Sequence, residues 1–462
     1  MIRYRARWVL PVARPPIADG VVAVQDGKIA YVGDARDAPQ APEEPLGDVL
    51  LMPGLINAHT HLELTGMRGF LEKLEFHEWI TTLTRARRDV LSDAMLLDSA
   101  RLGISEGVRA GVTTFADTCE SGVALAAMRE AGVRGIVYQE VFGPDPARCS
   151  DSIARLRERL RELRLHETSL VRVGVSPHAP YSVSDDLFAA TAQLAAAESL
   201  PMAIHVAESE AEDDLIRRGR GPFADLLTRR SIGIARRAGS PVELLARTGV
   251  LATHPLLIHC VRAGAADLDL IAAAGSAIAH CPASNAKLGH GIASVTDMLA
   301  RGIPVGLGSD SVASNNRMDI LDEARLAVLF QRARLAEHDA LSAEQALEMA
   351  TLGGARALGL ERVTGSLEVG KDADIAAFAL AGARGTPVTD PVAAAVFAIA
   401  GNDASLVAVG GRVIARRGRV FGADPGLPAR VQVFGDALAD WRSRGGVAWT
   451  SVTASSPGAS MG

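Results

Sequence analysis

An α/β fold is predicted, a (β/α)8 TIM barrel with a small β-sandwich domain built from both termini, and three observations lead to it. The chain has 462 residues, too many for one ordinary domain but suited to a barrel of roughly 250 residues or more plus a smaller companion. Between residues 54 and 361 short apolar segments alternate with longer Ala/Leu/Arg-rich stretches of helical character. Outside that region, at both ends, the texture changes to paired apolar runs around tight turns.

At the N-terminal end, Val21-Val22-Ala23-Val24 runs into Asp26-Gly27, and Lys28-Ile29-Ala30-Tyr31-Val32-Gly33 follows, which predicts a hairpin. Candidate barrel strands are 54–57, 113–116, 135–139, 171–176, 201–205, 256–259, 277–280 and 304–308. Eight strands at this spacing favour a barrel over a doubly wound sheet. Towards the C-terminus Ile375-Ala376-Ala377-Phe378 reads as a strand. Leu406-Val407-Ala408-Val409, Gly410-Gly411 and Arg412-Val413-Ile414-Ala415 read as a second hairpin. The expected domains are therefore 1–53 with 362–430 as the small β domain, 54–361 as the barrel, and 431–462 as a C-terminal helix and frayed tail, Ser/Gly/Ala-rich from Ser451.

Composition narrows the classes of function. A net charge of −6 argues against a general nucleic-acid or anionic-membrane surface. No apolar run approaches the ~20 residues of a membrane span. The basic start, Met1 to Arg7, lacks an apolar core before Pro11 and does not read as a signal peptide. Cys119, Cys149, Cys260 and Cys281 are widely spaced, as expected for reduced thiols in a cytoplasmic protein. Only four of the 48 basic residues are lysines: Lys28, Lys73, Lys287 and Lys371.

In a barrel, catalytic groups sit at the C-terminal ends of strands, so the residues closing each strand matter most. The first ends in His59-Thr60-His61, and strand periodicity of two puts both imidazoles on one face, a natural start to a metal site. The fifth ends in His205, with Glu208 three residues on; the sixth ends in His259; the eighth runs into Ser309-Asp310. A structural histidine is more often isolated, so four strands ending this way point to a shared site.

Five strings then carry a family resemblance. They are Pro53-Gly54-Leu55-Ile56-Asn57-Ala58-His59-Thr60-His61, Ser176-Pro177-His178-Ala179-Pro180-Tyr181-Ser182, His280-Cys281-Pro282-Ala283-Ser284-Asn285, Gly308-Ser309-Asp310, and Gly365-Ser366-Leu367-Glu368-Val369-Gly370-Lys371-Asp372-Ala373-Asp374. From about residue 20 to 420 the chain resembles the amidohydrolase superfamily, in the branch of mononuclear cytosine, guanine, S-adenosylhomocysteine and aminodeoxyfutalosine deaminases and the triazine hydrolases. The resemblance implies metal ligands His59, His61, His205 and Asp310, with Asp310 also among the catalytic groups. Three imidazoles and a carboxylate suit zinc first and iron(II) second. Relatives with two metals bridge them by a carboxylated lysine on the fourth strand. No lysine occurs here from 74 to 286, so one divalent metal is expected. The resemblance makes Glu208 the proton shuttle and His259 the group that orients hydroxide and stabilises the tetrahedral intermediate. The implied reaction is attack of hydroxide on an amidine-like ring carbon with loss of ammonia.

The same resemblance places His178 against ribose and Ser314 near a purine. Glu63, in His61-Leu62-Glu63, matches a string found in aminodeoxyfutalosine deaminases. His280 and Asn285 are read as structural; His77, His166, His254, His290 and His338 have no assigned role. Phe76-His77-Glu78-Trp79 is recognisable from the S-adenosylhomocysteine deaminases, but the ribose-binding acid that follows there has no clear counterpart. The expectation is a metal-dependent deaminase of an adenine nucleoside such as aminodeoxyfutalosine or S-adenosylhomocysteine. Alternatives are a triazine-type hydrolase or a guanine- or cytosine-like base deaminase, and more distantly a non-catalytic scaffold. The expected partner is a small-molecule substrate, with no nucleic acid and no membrane; a homo-oligomer is compatible with the family.

Overall fold

Alternating apolar residues lay down four strands before the barrel region: β1 (Ile2–Val9), β2 (Ile17–Gln25), β3 (Lys28–Asp34) and β4 (Glu43–Pro53). The structure, a computed structural model, describes residues 1–446. The expected frayed tail from Ser451 lies outside the described residues. The β2–β3 turn is the two-residue kind foreseen, with Asp26 and Gly27 both left-handed at φ 51° and 80°.

The central region supplies β5 (Leu55–Thr60), β6 (Val112–Cys119), β7 (Arg134–Val141), β8 (Val171–Pro177), β9 (Ala203–Val206), β10 (Leu256–His259), β11 (Ala277–His280) and β12 (Val305–Leu307). All eight candidate strands are present, and the first runs on to Thr60, carrying His59 inside it. They form two parallel four-stranded sheets, β5-β6-β7-β8 and β9-β10-β11-β12. Every residue of β5, β6, β9, β10, β11 and β12 is buried, as expected of parallel strands covered on both faces.

Hydrogen bonds cross between the sheets at both edges. At β8 and β9, Val175 N donates to Pro201 O (2.9 Å) and His205 N to His178 O (3.0 Å). At β5 and β12, Asp310 N donates to His59 O (2.9 Å). Asn57 fastens the same edge: its Nδ2 donates to Ser309 Oγ (2.8 Å) and its Oδ1 accepts from Ser309 N (2.9 Å).

After the barrel region come β13 (Ile375–Ala379), β14 (Leu406–Val409), β15 (Arg412–Arg416) and β16 (Arg419–Val420). The expected β-sandwich is hydrogen-bonded as one continuous sheet, β16-β15-β14-β13-β4-β1-β2-β3. The reason is β4, which pairs in parallel with β1 on one side and antiparallel with β13 on the other, so both chain ends join one ladder. One face of this sheet buries its own cluster, including Tyr4, Val22, Leu51, Ile375 and Leu406. The opposite face, with Leu50, Met52, Ala376 and Phe378, joins the core shared with the central strands. The Phe378 ring lies 2.4 Å from where a Cβ on Gly111 would stand, and Gly111 is at φ 88°, so only glycine fits there. The Asp372-Ala373-Asp374 end of the last family string is a fastener: Arg134 at the start of β7 pairs with Asp374 (2.7 Å) and Asp372 (2.8 Å), and Asp374 is fully buried. Helix Leu427–Trp441 begins four residues ahead of its expected start. Among the described residues no helix is long and apolar enough to cross a membrane.

Candidate active site

The strand ends bring six of the predicted residues together. His59 Nε2 lies 3.2 Å from Asp310 Oδ1, His61 Nε2 lies 3.2 Å from His205 Nε2, and His61 Nε2 lies 3.6 Å from Asp310 Oδ1. Glu208 and His259 stand beside them, with His259 Nε2 3.5 Å from Glu208 Oε1. The backbone is left-handed at Ala207, His259 and Asp310, at φ 51°, 72° and 57°. Non-glycine residues rarely adopt this conformation, and it clusters at functional sites where surrounding structure enforces it.

Burial sets the charge states. It lowers His59, drives His205 well below the ordinary imidazole range, and takes His61 down to about 3, so the three rings are neutral. Burial pushes Asp310 upward, but its hydrogen bond with His59 and the neighbouring imidazoles outweigh that and hold the carboxyl well below its usual range. Glu208 follows the same pattern: burial raises it, while His259 and then His290 bring it below its ordinary value.

Apart from His59, whose Nδ1 has no hydrogen-bond partner among the described residues, these groups are held from behind. His205 Nδ1 meets His178 O (3.1 Å), which fixes its proton there and leaves the Nε2 lone pair facing the cluster. Thr118 Oγ1 lies 3.3 Å from His61 Nδ1, and Asn285 Oδ1 lies 2.9 Å from His259 Nδ1. Asp117 Oδ1 accepts from Thr60 Oγ1 (2.8 Å) and Leu62 N (2.6 Å), which shapes the turn after His61. Glu212 accepts from the backbone N–H of Ala207 (3.0 Å) and Glu208 (2.9 Å), fixing the turn that presents Glu208. In sequence Glu212 is one acid in an exposed-looking run; its only local signal is Ser209 three residues before it, which caps the helix it begins.

Donor atoms of His59, His61 and His205, and of His59, His259 and Asp310, form groups lying within 4.8 Å of one another. Neutral imidazole lone pairs that face each other at 3.2 Å, next to an ionised carboxylate, are a donor set fitted to a divalent cation.

His61, His205, Glu208, His259 and Asp310 of the cluster line a cavity of about 720 Å³. Aromatic rings form its wall: Tyr181 stacks on Phe223 at 4.3 Å, and Phe76, first residue of helix Phe76–Val90, stands edge-on to both. The remaining predicted site residues divide. His178 lines the cavity, its Nδ1 2.7 Å from Ser182 Oγ and its pKa brought down to about 4 by burial. Glu63 lines it too, but is engaged: Arg87 Nη2 lies 3.0 Å away, and Ser121 donates to it from both N and Oγ. Ser314 is not on the wall. Its Oγ donates to Asp310 Oδ2 (3.0 Å), beside Ser284, which donates to the same oxygen.

Three residues at this site escaped the sequence. Arg87 also pairs with Glu120 (2.5 Å). Glu140, next to the end of β7, lies 4.0 Å from His178 Nε2 and its Oε1 has no hydrogen-bond partner among the described residues. Burial, then Glu63 and Glu120, push its carboxyl well above the usual range. His290 Nε2 lies 3.3 Å from Glu208 Oε1. None of the three closes an apolar strand segment at a recognisable spacing, which is the signal that found the others. His280, read as structural, is buried with neither ring nitrogen hydrogen-bonded among the described residues.

Known proteins align with this arrangement along most of the chain. A curated relative from Moorella thermoacetica, a 5-methylthioadenosine/S-adenosylhomocysteine deaminase, is 32% identical over 422 residues, covering 89% of this chain and 93% of its own. An adenosine deaminase from Xanthomonas campestris solved with bound zinc superposes with a TM-score of 0.85 at 27% identity, over 95% of this chain and 98% of that one. An atrazine chlorohydrolase from Arthrobacter aurescens, also with zinc, gives 0.81 at 27% identity, over 94% and 100%. Residues 50–414 match the amidohydrolase family, and the chain belongs to that family, a hydrolase acting on carbon–nitrogen bonds.

Proposed function

We propose that this hydrolase deaminates an adenine nucleoside carrying a modified 5′ position, of the S-adenosylhomocysteine, methylthioadenosine or aminodeoxyfutalosine kind. One observation carries the reading: Glu208 stands beside a cluster of three neutral imidazoles and an ionised carboxylate, on the wall of a cavity of about 720 Å³, within the range of small-molecule sites. The 32% identity to a nucleoside deaminase over 89% of the chain supports it. The two sheets, bonded to each other at both edges, are read as a closed (β/α)8 barrel of residues 54–361, with 1–53 and 362–430 as the terminal domain. The cytoplasmic setting expected from the dispersed thiols belongs to the same reading.

His59, His61, His205 and Asp310 would hold one divalent metal, zinc by the likeness to zinc-bound relatives. When bound, the metal supplies a water acidic enough to be hydroxide near neutral pH. Glu208 takes one proton from the attacking water and delivers it to the ring nitrogen, then takes the second from the hydroxyl on the tetrahedral carbon and delivers it to the amino group, which leaves as ammonia. His259, its Nδ1 anchored on Asn285, stabilises the oxygen that becomes negative as the ring carbon turns tetrahedral. His178 and the unpartnered oxygen of Glu140 face the sugar, and the aromatic wall stacks on the base. Ser314 acts through Asp310 instead of touching the purine.

Ammonia release by zinc-loaded protein tests this against adenosine, S-adenosylhomocysteine, methylthioadenosine, aminodeoxyfutalosine, guanine, cytosine, melamine and atrazine. Preference for one adenine nucleoside is expected. Turnover of melamine, or chloride release from atrazine, with none of the nucleosides, would establish instead the triazine reading that the Arthrobacter likeness suggests. Glu208→Gln should lower kcat by roughly 10³-fold or more with metal content unchanged; full activity would remove Glu208 from the mechanism.

A further inference from the structure

His290 sits in the loop after helix Pro282–Lys287, its side chain only 4% exposed. Two imidazoles converge on one oxygen of Glu208: His259 Nε2 at 3.5 Å and His290 Nε2 at 3.3 Å from Oε1. They are not equivalent. His259 Nδ1 faces Asn285 Oδ1 at 2.9 Å, and an amide oxygen only accepts, so Nδ1 carries a proton and is committed to Asn285. Its Nε2 stands at the longer of the two distances from the carboxylate. His290 Nε2 is buried and makes no hydrogen bond among the described residues, and it faces the Glu208 oxygen at 3.3 Å. Its ring stands edge-on to Phe76 with centroids 4.6 Å apart, which fixes the ring plane and ties it to the aromatic wall.

We propose that His290 is a positioning residue that donates its Nε2–H to Glu208 Oε1, fixing the rotation of the carboxylate so that Oε2 is the oxygen exchanging protons with water and substrate. The donor that holds Glu208 is thus His290, while His259 is anchored through Nδ1 on Asn285. The arrangement also couples the wall that receives the base to the acid that protonates it, because Phe76 packs on the donor ring. This inference rests on Glu208 being the proton carrier.

The test uses zinc-loaded protein and the nucleoside of the panel with the highest kcat/KM, comparing His290→Phe, His290→Gln and Glu208→Gln. Phenylalanine keeps a ring against Phe76 but cannot donate; glutamine restores a neutral N–H donor. In His290→Phe, kcat is expected to fall roughly 10- to 100-fold, the loss of one hydrogen bond to a charged group. KM, zinc stoichiometry and the calorimetric Kd for inosine should stay within about twofold of wild type. His290→Gln should recover most of the lost kcat. Wild-type kcat in His290→Phe, a loss expressed in KM or inosine affinity alone, or no recovery in His290→Gln would overturn the proposal. Activity retained in Glu208→Gln would instead sink the Glu208 reading itself, whatever the His290 variants do.

Discussion

The metal cluster and the carboxylates around Arg87 are built by opposite rules. In the cluster His59, His61, His205 and Asp310 sit on strand ends, and three of the four have partners fixing them from behind: Thr118 for His61, the His178 carbonyl for His205, and Ser284 with Ser314 for Asp310. Beside it Glu63 and Glu120 pair with one arginine, Arg87, and Glu140, within 4.8 Å of His205, keeps an oxygen unpartnered among the described residues. A metal site must be rigid, because ligand geometry sets affinity and second partners orient the rings. A site that reads the variable part of a substrate keeps polar capacity in reserve for the ligand to satisfy. The contrast separates chemistry from specificity within one cavity.

The largest effect should come from breaking the rigid cluster. His61→Ala removes an imidazole whose Nε2 faces both His205 and Asp310. Zinc content should fall well below one per chain, and activity roughly 10³-fold or more, since several kcal/mol of transition-state stabilisation go with the metal. A variant retaining full zinc would show that the cluster does not hold it. Arg87→Ala, in contrast, should leave zinc stoichiometry intact. It strips the counter-charge from Glu63, so stability should drop by on the order of 2 kcal/mol, discounted from a fully buried pair because Arg87 is 18% exposed. KM for the nucleoside should rise about tenfold while kcat changes less. Equal losses of zinc in both variants would erase the distinction between the two groups.

The same contrast explains what could be read from the chain. The rigid cluster was legible because its residues close apolar strands at fixed spacings: His59-x-His61 has the strand period of two, and His205 and Asp310 end strands the alternation had already located. All eight strands followed from their apolar runs. The single terminal sheet did not, because nothing local says that β4 pairs with both β1 and β13. The carboxylates around Arg87 were not legible either. Arg87 lies in the last turn of a helix, Glu120 in a loop and Glu140 near a strand end without a motif, and only the fold brings them together. Glu63 shows what motif reading leaves out: its match suggested a substrate contact, and the fold adds that the carboxylate lining the cavity is also bound by Arg87 and Ser121. His290 was invisible because a histidine in a Gly-rich loop carries no periodic signal.

The smallest expected effect concerns the scaffold of the rigid cluster. Asp117 Oδ1 takes both of its hydrogen bonds, from Thr60 and Leu62, while Oδ2 is buried with no partner among the described residues. That is the pattern of a protonated carboxyl, and burial pushes its pKa up to about 8. In the unfolded chain the group ionises near pH 4. Between about pH 4 and 8 the folded state therefore binds more protons at this position, and stability falls as pH rises across that window. Asp117→Asn mimics the neutral acid and keeps the oxygen that accepts both bonds. Measured on chelator-treated protein to remove any metal contribution, the difference in Tm between Asp117→Asn and wild type should move in favour of the variant from pH 5 to pH 9. Each kcal/mol is worth about 2 °C or less in a chain this large. A difference that stays flat with pH would mean that Asp117 is ionised in the folded protein, and that the turn after His61 is held by a charge, as the metal cluster is, and not by a neutral hydrogen bond.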